Sequence, residues 1–486
     1  MNKFLIYLFY FNFFILALFF QATAQNDLLI QSSRIIPQSY YSNPALTPQC
    51  RIHIGLPGLS SLYVGSGHTG FNAKNVISNN ISDSVEINTK SLLKSLGKNN
   101  YIFTNINEEL LSFGFKVKKR HYFNFSLMSH AYFRFSYPKE LIKFGLYGNG
   151  TLLDEQLDIG NFRANINLYN ELALGYTYKL DNTWSFGSRV KFLSGMANIN
   201  TKRCDISLYT ESEFYDITAT SDILINTNGL QYLTDTNNKE IDPKEFLNFK
   251  NLGVGLDFGA FYKLNSEISL GLSVLDLGFI NWKSNPMNIK SKEKGSSFTF
   301  DGFTIKEFVN IMKDSSITKN LGDTLISIFN IDSSYNSYKS FLNTQINGSA
   351  YYKITKKDQL LYVIRAKFYD GGIHPSFHLS YLRKFGHIWH VMMSYSIENR
   401  NFTNLGLGSS LKLGPVQLYL LTDNVLGPVI WNKYTWTTKS KDEFGNQTIK
   451  EEKITVPSNW KNMNLHFGIN LLFGCKPKKY NPPLLQ

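Results

Sequence analysis

The chain has 486 residues, 43% hydrophobic, 18% charged and 15% aromatic, with formal net charge +13 and three cysteines. A mean hydropathy of −0.19 excludes a bundle of membrane helices, and the wealth of apolar and aromatic residues excludes disorder. Three cysteines cannot build a disulfide scaffold, no C-x-x-C pair suggests zinc, and no motif calls for nucleic acid or a cofactor.

Residues 1–24 read as a signal peptide. Asn2 and Lys3 precede an apolar run from Phe4 to Phe20, and Ala22-Thr23-Ala24 supplies a small-x-small cleavage pattern before Gln25. At about 17 residues the run is near the lower limit of a membrane span. No later stretch reaches 18 uninterrupted apolar residues.

After 25–58 the chain falls into a period of two. Phe123, Phe125, Leu127, Ala131, Phe133 and Phe135 share one face, and Asn124, Ser126, His130 and Arg134 the other. Such runs predict fourteen strands, at 59–70, 109–118, 121–136, 163–180, 183–200, 251–264 and 268–282, then 344–355, 358–370, 373–385, 388–399, 402–413, 416–426 and 462–473. Most are longer than the ~5–6 residues of globular strands and suit the ~9–11 of a membrane crossing. Tight connections such as Lys119-Arg120, Lys356-Lys357 and Gly414-Pro415 alternate with long ones. An outer-membrane barrel segregates its connections in this way, short periplasmic turns against long external loops. The expected fold is therefore an all-β, transmembrane antiparallel barrel over 59–473. It has external loops at about 71–108, 201–250, 283–343 and 427–461, and both termini are periplasmic. Residues 474–486, with three prolines, form a tail. Short helices are expected in the external segments at 138–142, 243–247 and 301–314, each with a proline or an aspartate at its start.

Gly468, Leu471 and Phe473 lie in His466-Phe467-Gly468-Ile469-Asn470-Leu471-Leu472-Phe473, which resembles the C-terminal signal read by the barrel-assembly machinery. Residues 34–70 contain Ser-Asn-Pro-Ala-Leu and Ile-Gly-Leu-Pro-Gly-Leu-Ser-Ser. With Leu252 to Trp282 and Leu420-Leu421-Thr422-Asp423-Asn424, they resemble a Bacteroidota outer-membrane barrel family known only as a domain of unknown function. Asn43-Pro44-Ala45 also resembles a motif near the start of FadL-like fatty-acid channels and PorV-type secretion barrels. The FadL likeness implies that 25–58 is a hatch inside the barrel.

Continuing the alternation inward gives the lumen and ligand candidates Arg134, Glu171, Arg189, Lys191, Arg365, Lys367, His374, His378, His390 and Glu398, with Lys116, Asp257 and His130 beside them. The excess of cations suits an anionic head group; the plainer reading is that acids and hatch carbonyls neutralise them and they fill the barrel. His374 and His378 lie roughly 13 Å apart along one strand, too far to share a metal. Gly65 to Gly70 matches G-x-G-x-x-G without a following helix and reads as strand-end glycine. Cys50 and Cys475 flank the first and last strands, so a bridge and two free thiols are both open; Cys204 falls in a loop. Expected partners are outer-membrane lipid, the assembly machinery, and either a hydrophobic or amphiphilic solute passing a FadL-like channel or a protein held by a PorV-like scaffold. No catalytic residue is predicted.

Overall fold

A computed structural model describes residues 29–32, 34–71, 76–79, 85–148, 152–213, 216–229, 250–291, 296–300, 331–369, 372–398, 401–426, 430–441, 447–457 and 461–475. The expected signal peptide, the expected tail beyond Cys475 and the helices expected at 243–247 and 301–314 lie outside the described residues.

Fourteen antiparallel strands close into one barrel. β1 comes in two pieces, Ile52–Gly55 and Leu62–His68. β2 (Asn99–Val117), β3 (His121–Pro138), β4 (Arg163–Lys179) and β5 (Trp184–Thr210) follow. Next come β6 (Leu252–Lys263), β7 (Ile268–Trp282), β8 (Gln345–Lys353), β9 (Asp358–Tyr369) and β10 (Gly372–Phe385). The ring ends with β11 (Trp389–Glu398), β12 (Asn401–Leu413), β13 (Val416–Thr422) and β14 (Asn462–Phe473). Each strand pairs with its neighbour in the chain, and β14 pairs back to both pieces of β1. Closure leaves no ladder groups facing hydrocarbon, which cannot satisfy them.

The alternation sorts polar residues inward and apolar ones outward, the reverse of a water-soluble barrel. In β4, Glu171, Ala173 and Thr177 are buried while Leu172, Leu174 and Tyr176 are exposed. Aromatic rings collect beside the short turns: Trp184 stacks on Phe186 at 5.6 Å and lies 4.4 Å from Tyr262, and Phe385 stacks on Trp389 at 5.0 Å. Rings with one polar edge suit the headgroup level. No described helix is long and apolar enough to cross a membrane; the strands cross instead.

At the turn end, polar side chains close the connections. Asp181 Oδ1 accepts from the amides of Thr183 and Trp184, and Asn265 Oδ1 from those of Glu267 and Ile268. The loop end is built largely of further strands. β5 runs on past the barrel and pairs with Ile217–Asn228, onto which Pro286–Ser291 and Ser296–Phe300 add; Ile331–Ser334 then pairs with Pro286–Ser291. Trp431–Lys441 and Gln447–Pro457 make a separate hairpin. The described parts of the segments expected as loops at 201–250 and 283–343 are thus substantially β, because long strands offer edges that neighbouring segments can pair with. Among the described residues, two helices join them. α1 (Thr89–Ser95) is capped by the Asn88 side chain, and α2 (Lys139–Tyr147) begins after Pro138, as the sequence predicts at 138–142.

β1 begins at Ile52, seven residues before its expected start. It is interrupted at 56–61, where six residues oppose only Gly468 and Ile469 of β14. Leu56 N–H donates to Ile469 O at 3.1 Å, and Ile469 N–H to Leu59 O at 2.8 Å, so the intervening Pro57-Gly58 turn is looped out of the β14 ladder, while Gly58 N–H donates to Leu110 O of β2 at 3.1 Å. Gly58 takes φ +68°, which favours glycine. Pro-Gly reads in sequence as a strand boundary; here it is an interruption within a strand.

Residues 29–50 lie inside the turn-end half of the barrel. Leu29, Ile30 and Ile36 pack with Leu382, Met392, Tyr419 and Leu421, and Ala45 and Leu46 pack with Phe261, Tyr351, Leu361 and Val363. Asn43-Pro44-Ala45 is fastened to the wall: Asn43 Nδ2 donates to the carbonyls of Ala260 and Leu272, and Thr177 Oγ1 donates to Pro44 O at 2.7 Å. Cys50, at the end of this segment, is disulfide-bonded to Cys475. Cys204 is a buried free thiol on the extension of β5.

Candidate functional site

Local irregularities in the strands set the interior charges. In β7, Leu275 and Asp276 together oppose Asp257 of β6, and Asp276 takes φ +60°. This bulge turns both carboxylates toward β5. In β2, Leu110 is the extra residue, and Glu109 turns inward, fully buried.

Two cations on β5 meet these acids. Arg189 reaches Asp257 at 3.1 Å, Glu171 at 3.2 Å and Ser126 at 2.9 Å. Lys191 reaches Asp276 at 2.5 Å, Asp257 at 3.0 Å and Glu171 at 3.6 Å, and His130 lies 3.3 Å from Glu171. All but His130 and Asp276 are at most 5% exposed at the side chain. Buried charges persist only when paired and hydrogen-bonded, as they are here. The N-terminal segment completes the arrangement. The Arg189 guanidinium lies 4.7 Å from the Tyr41 ring centre, and the Tyr41 hydroxyl donates to Glu109. Gln38 and Asn470 exchange reciprocal amide bonds of 2.8 and 3.0 Å, and Gln38 also donates to Glu109 at 3.1 Å.

Above this layer, toward the loop end, is a cavity of about 210 Å³. Ile30, Tyr41 and Ser42 of the N-terminal segment contribute to its lining, with Phe341 and Leu342 from the segment before β8. Its charged lining is unequal: Arg134, Arg189, Lys191, Arg365 and Lys367 against Glu171 and Asp276. Arg189 and Lys191 are held by the carboxylate cluster; the other three sit on β3 and β9. Arg134 is clasped between aromatic faces, its guanidinium 4.1 Å from Tyr101 and 3.8 Å from Tyr369, and Arg365 Nε donates to Asn347 at 2.7 Å. The cavity thus has a cationic pole amid aromatic walls.

All ten sequence candidates are buried in the interior. Arg134, Glu171, Arg189, Lys191, Arg365 and Lys367 converge on the cavity. His374 does not line it; it stacks on Tyr369 at 3.7 Å and helps hold that ring. His378 and His390 are buried elsewhere along the barrel wall, whereas the Glu398 carboxylate, also buried, lies within electrostatic reach of Lys367. Glu109 and Asp276 escaped the alternation because both are displaced by bulges; paired acids such as Glu108-Glu109 inside an apolar strand are the signal that remains. Among the described residues no group of three His, Cys, Asp or Glu side chains forms a metal site.

A family profile matches residues 44–423. The chain belongs to DUF5723, a family of unknown function. In this DUF5723 protein the matched span opens on Pro44, the residue fastened to Thr177. No curated protein matches the sequence. Solved structures with similar shape include a Pseudomonas aeruginosa FadL homologue (10% identity, 90% of this chain and 94% of that one, TM-score 0.41). The Pseudomonas putida toluene transporter TodX is another (8%, 93% and 99%, 0.40). The translocator domain of the autotransporter NalP from Neisseria meningitidis is a more distant one (7%, 87% and 88%, 0.30).

Proposed function

We propose that this protein is an outer-membrane channel, FadL-like in plan, for an amphiphilic solute with an anionic head, and that residues 29–50 are its hatch. The observation that carries this is the aromatic-walled cavity with Arg134, Arg365 and Lys367 at one side and the N-terminal segment as its floor. An excess of positive over negative charge in a low-dielectric recess attracts an anionic head group, while rings accept an alkyl chain. Ser61, at the end of the interruption of β1, lines the same cavity. Both termini would face the periplasm, and Gly468, Leu471 and Phe473 would serve assembly.

The test is liposome uptake of dodecanoate compared with dodecanol, with mass spectrometry of lipids and proteins that co-purify in detergent. Transport of dodecanoate, reduced in Arg134→Ala and Lys367→Gln, is the expected result. Recovery of a secretion partner without ligand defeats it. That outcome fits a second reading, a non-transporting PorV-like scaffold, which the filled turn-end half of the lumen and the projecting strands favour.

A further inference from the structure

The turn end is a basic rim. Lys118, Lys119 and Arg120 fill the connection between β2 and β3, and Lys353, Lys356 and Lys357 crowd that between β8 and β9. Arg383 and Lys384 precede the turn into β11. Lys179, Lys263 and Lys412 stand at the other three turns, and Arg51 at the foot of β1. Only Lys384 and Lys412 are half-buried; the other ten are exposed. The acids in these connections are Asp181, Glu267 and Asp358, and Asp358 is bridged to Arg383 at 3.1 Å. Twelve cations against three acids give this rim +9 in a chain whose net charge is +13.

Its shape identifies what it fits. The cations occur at all six short turns and at the β1–β14 seam, so they encircle the barrel instead of forming one patch. They lie just beyond the aromatic belt of Trp184, Tyr262, Phe385 and Trp389, which stand at or within a few residues of the turns. A protein partner would meet one arc of such a ring. The headgroup layer of a leaflet meets all of it at one depth. Exposed like charges at this spacing repel unless a counter-charge lies within a Debye length, and anionic phosphodiesters supply it.

We propose that the turn-end rim is a binding surface for the headgroups of anionic phospholipids in the leaflet on that side. This rests on the barrel's placement in a membrane and is independent of transport. The test titrates short-chain phosphatidylglycerol or phosphatidylcholine into the mature barrel in non-ionic detergent, reading thermal unfolding and the lipid retained in native mass spectrometry. Phosphatidylglycerol should be retained preferentially and raise the unfolding temperature, and high salt should abolish the difference. Joint Lys118→Gln, Lys119→Gln, Lys356→Gln and Lys357→Gln should weaken retention at least about fivefold. Lys90→Gln with Lys94→Gln, exposed on α1 at the loop end, should leave it unchanged. Equal retention of the two lipids by a detergent-dependent barrel overturns the proposal, as does a preference that survives in the rim variant. A chain that stays monodisperse without detergent overturns the membrane placement as well.

Discussion

Gly187 lies against the carbonyl of Pro44: a Cβ on Gly187 would stand 2.1 Å from that oxygen. The glycine on β5 and the proline of Asn43-Pro44-Ala45 are therefore matched surfaces, and the segment lies on the wall only because a side chain is missing there. Gly187→Ala should loosen residues 29–50, at an overpacking cost of about 1–3 kcal/mol. Faster protease cleavage of that segment, with unchanged strand content by circular dichroism, is the expected result. Gly348→Ala on β8, where a Cβ meets nothing within 4 Å, should be neutral in the same assay.

The carboxylate cluster should behave as one unit. Asp257→Asn removes a partner shared by Arg189 and Lys191, leaving buried positive charge unbalanced. A loss of about 3–5 kcal/mol in urea unfolding is expected. Lys191→Met combined with Asp276→Asn should cost less than the sum of the two single changes.

Cys50 and Cys475 join segments 425 residues apart in sequence, at the seam whose pairing is already split at 56–61. Reduction, or Cys50→Ser, should lower stability by about 2–4 kcal/mol. Hydrogen exchange should quicken first at Leu471 to Phe473, before the ladder of β6 and β7 responds.

Asp181 gives a pH dependence at the turn end. Hydrogen bonds from Thr183 and Trp184 hold its carboxyl below the ordinary Asp value of 3.8. Its contribution is complete above that value and is lost as pH falls through the lower, folded-state one. Protection of the Trp184 amide, referred to its intrinsic exchange rate at each pH, should therefore fall on acidification, and Asp181→Asn should flatten the profile.

The alternation revealed most of the ring, because lipid outside and polar filling inside impose a period of two on every crossing. It failed where the backbone departs from that period. β2 starts at Asn99 and not 109, since the extra residue Leu110 reverses the phase of everything before it. Asp276 was missed for the same reason, and Pro57-Gly58 concealed the first piece of β1. At the loop end both faces of the added strands are partly polar, so no apolar rhythm announces them. The cavity required knowing which strands are neighbours: Arg134 and Lys367 are 233 positions apart and share it only through closure of the ring and the seat of Tyr41.

The bridge at the seam also alters what a cut can do. Between Cys50 and Cys475 the polypeptide is a covalent loop, so a protease that nicks any one loop or turn in that interval opens the loop without dividing the molecule. Only reduction would release two fragments, and a barrel clipped once at its loop end would still run as a single species until its thiols were freed.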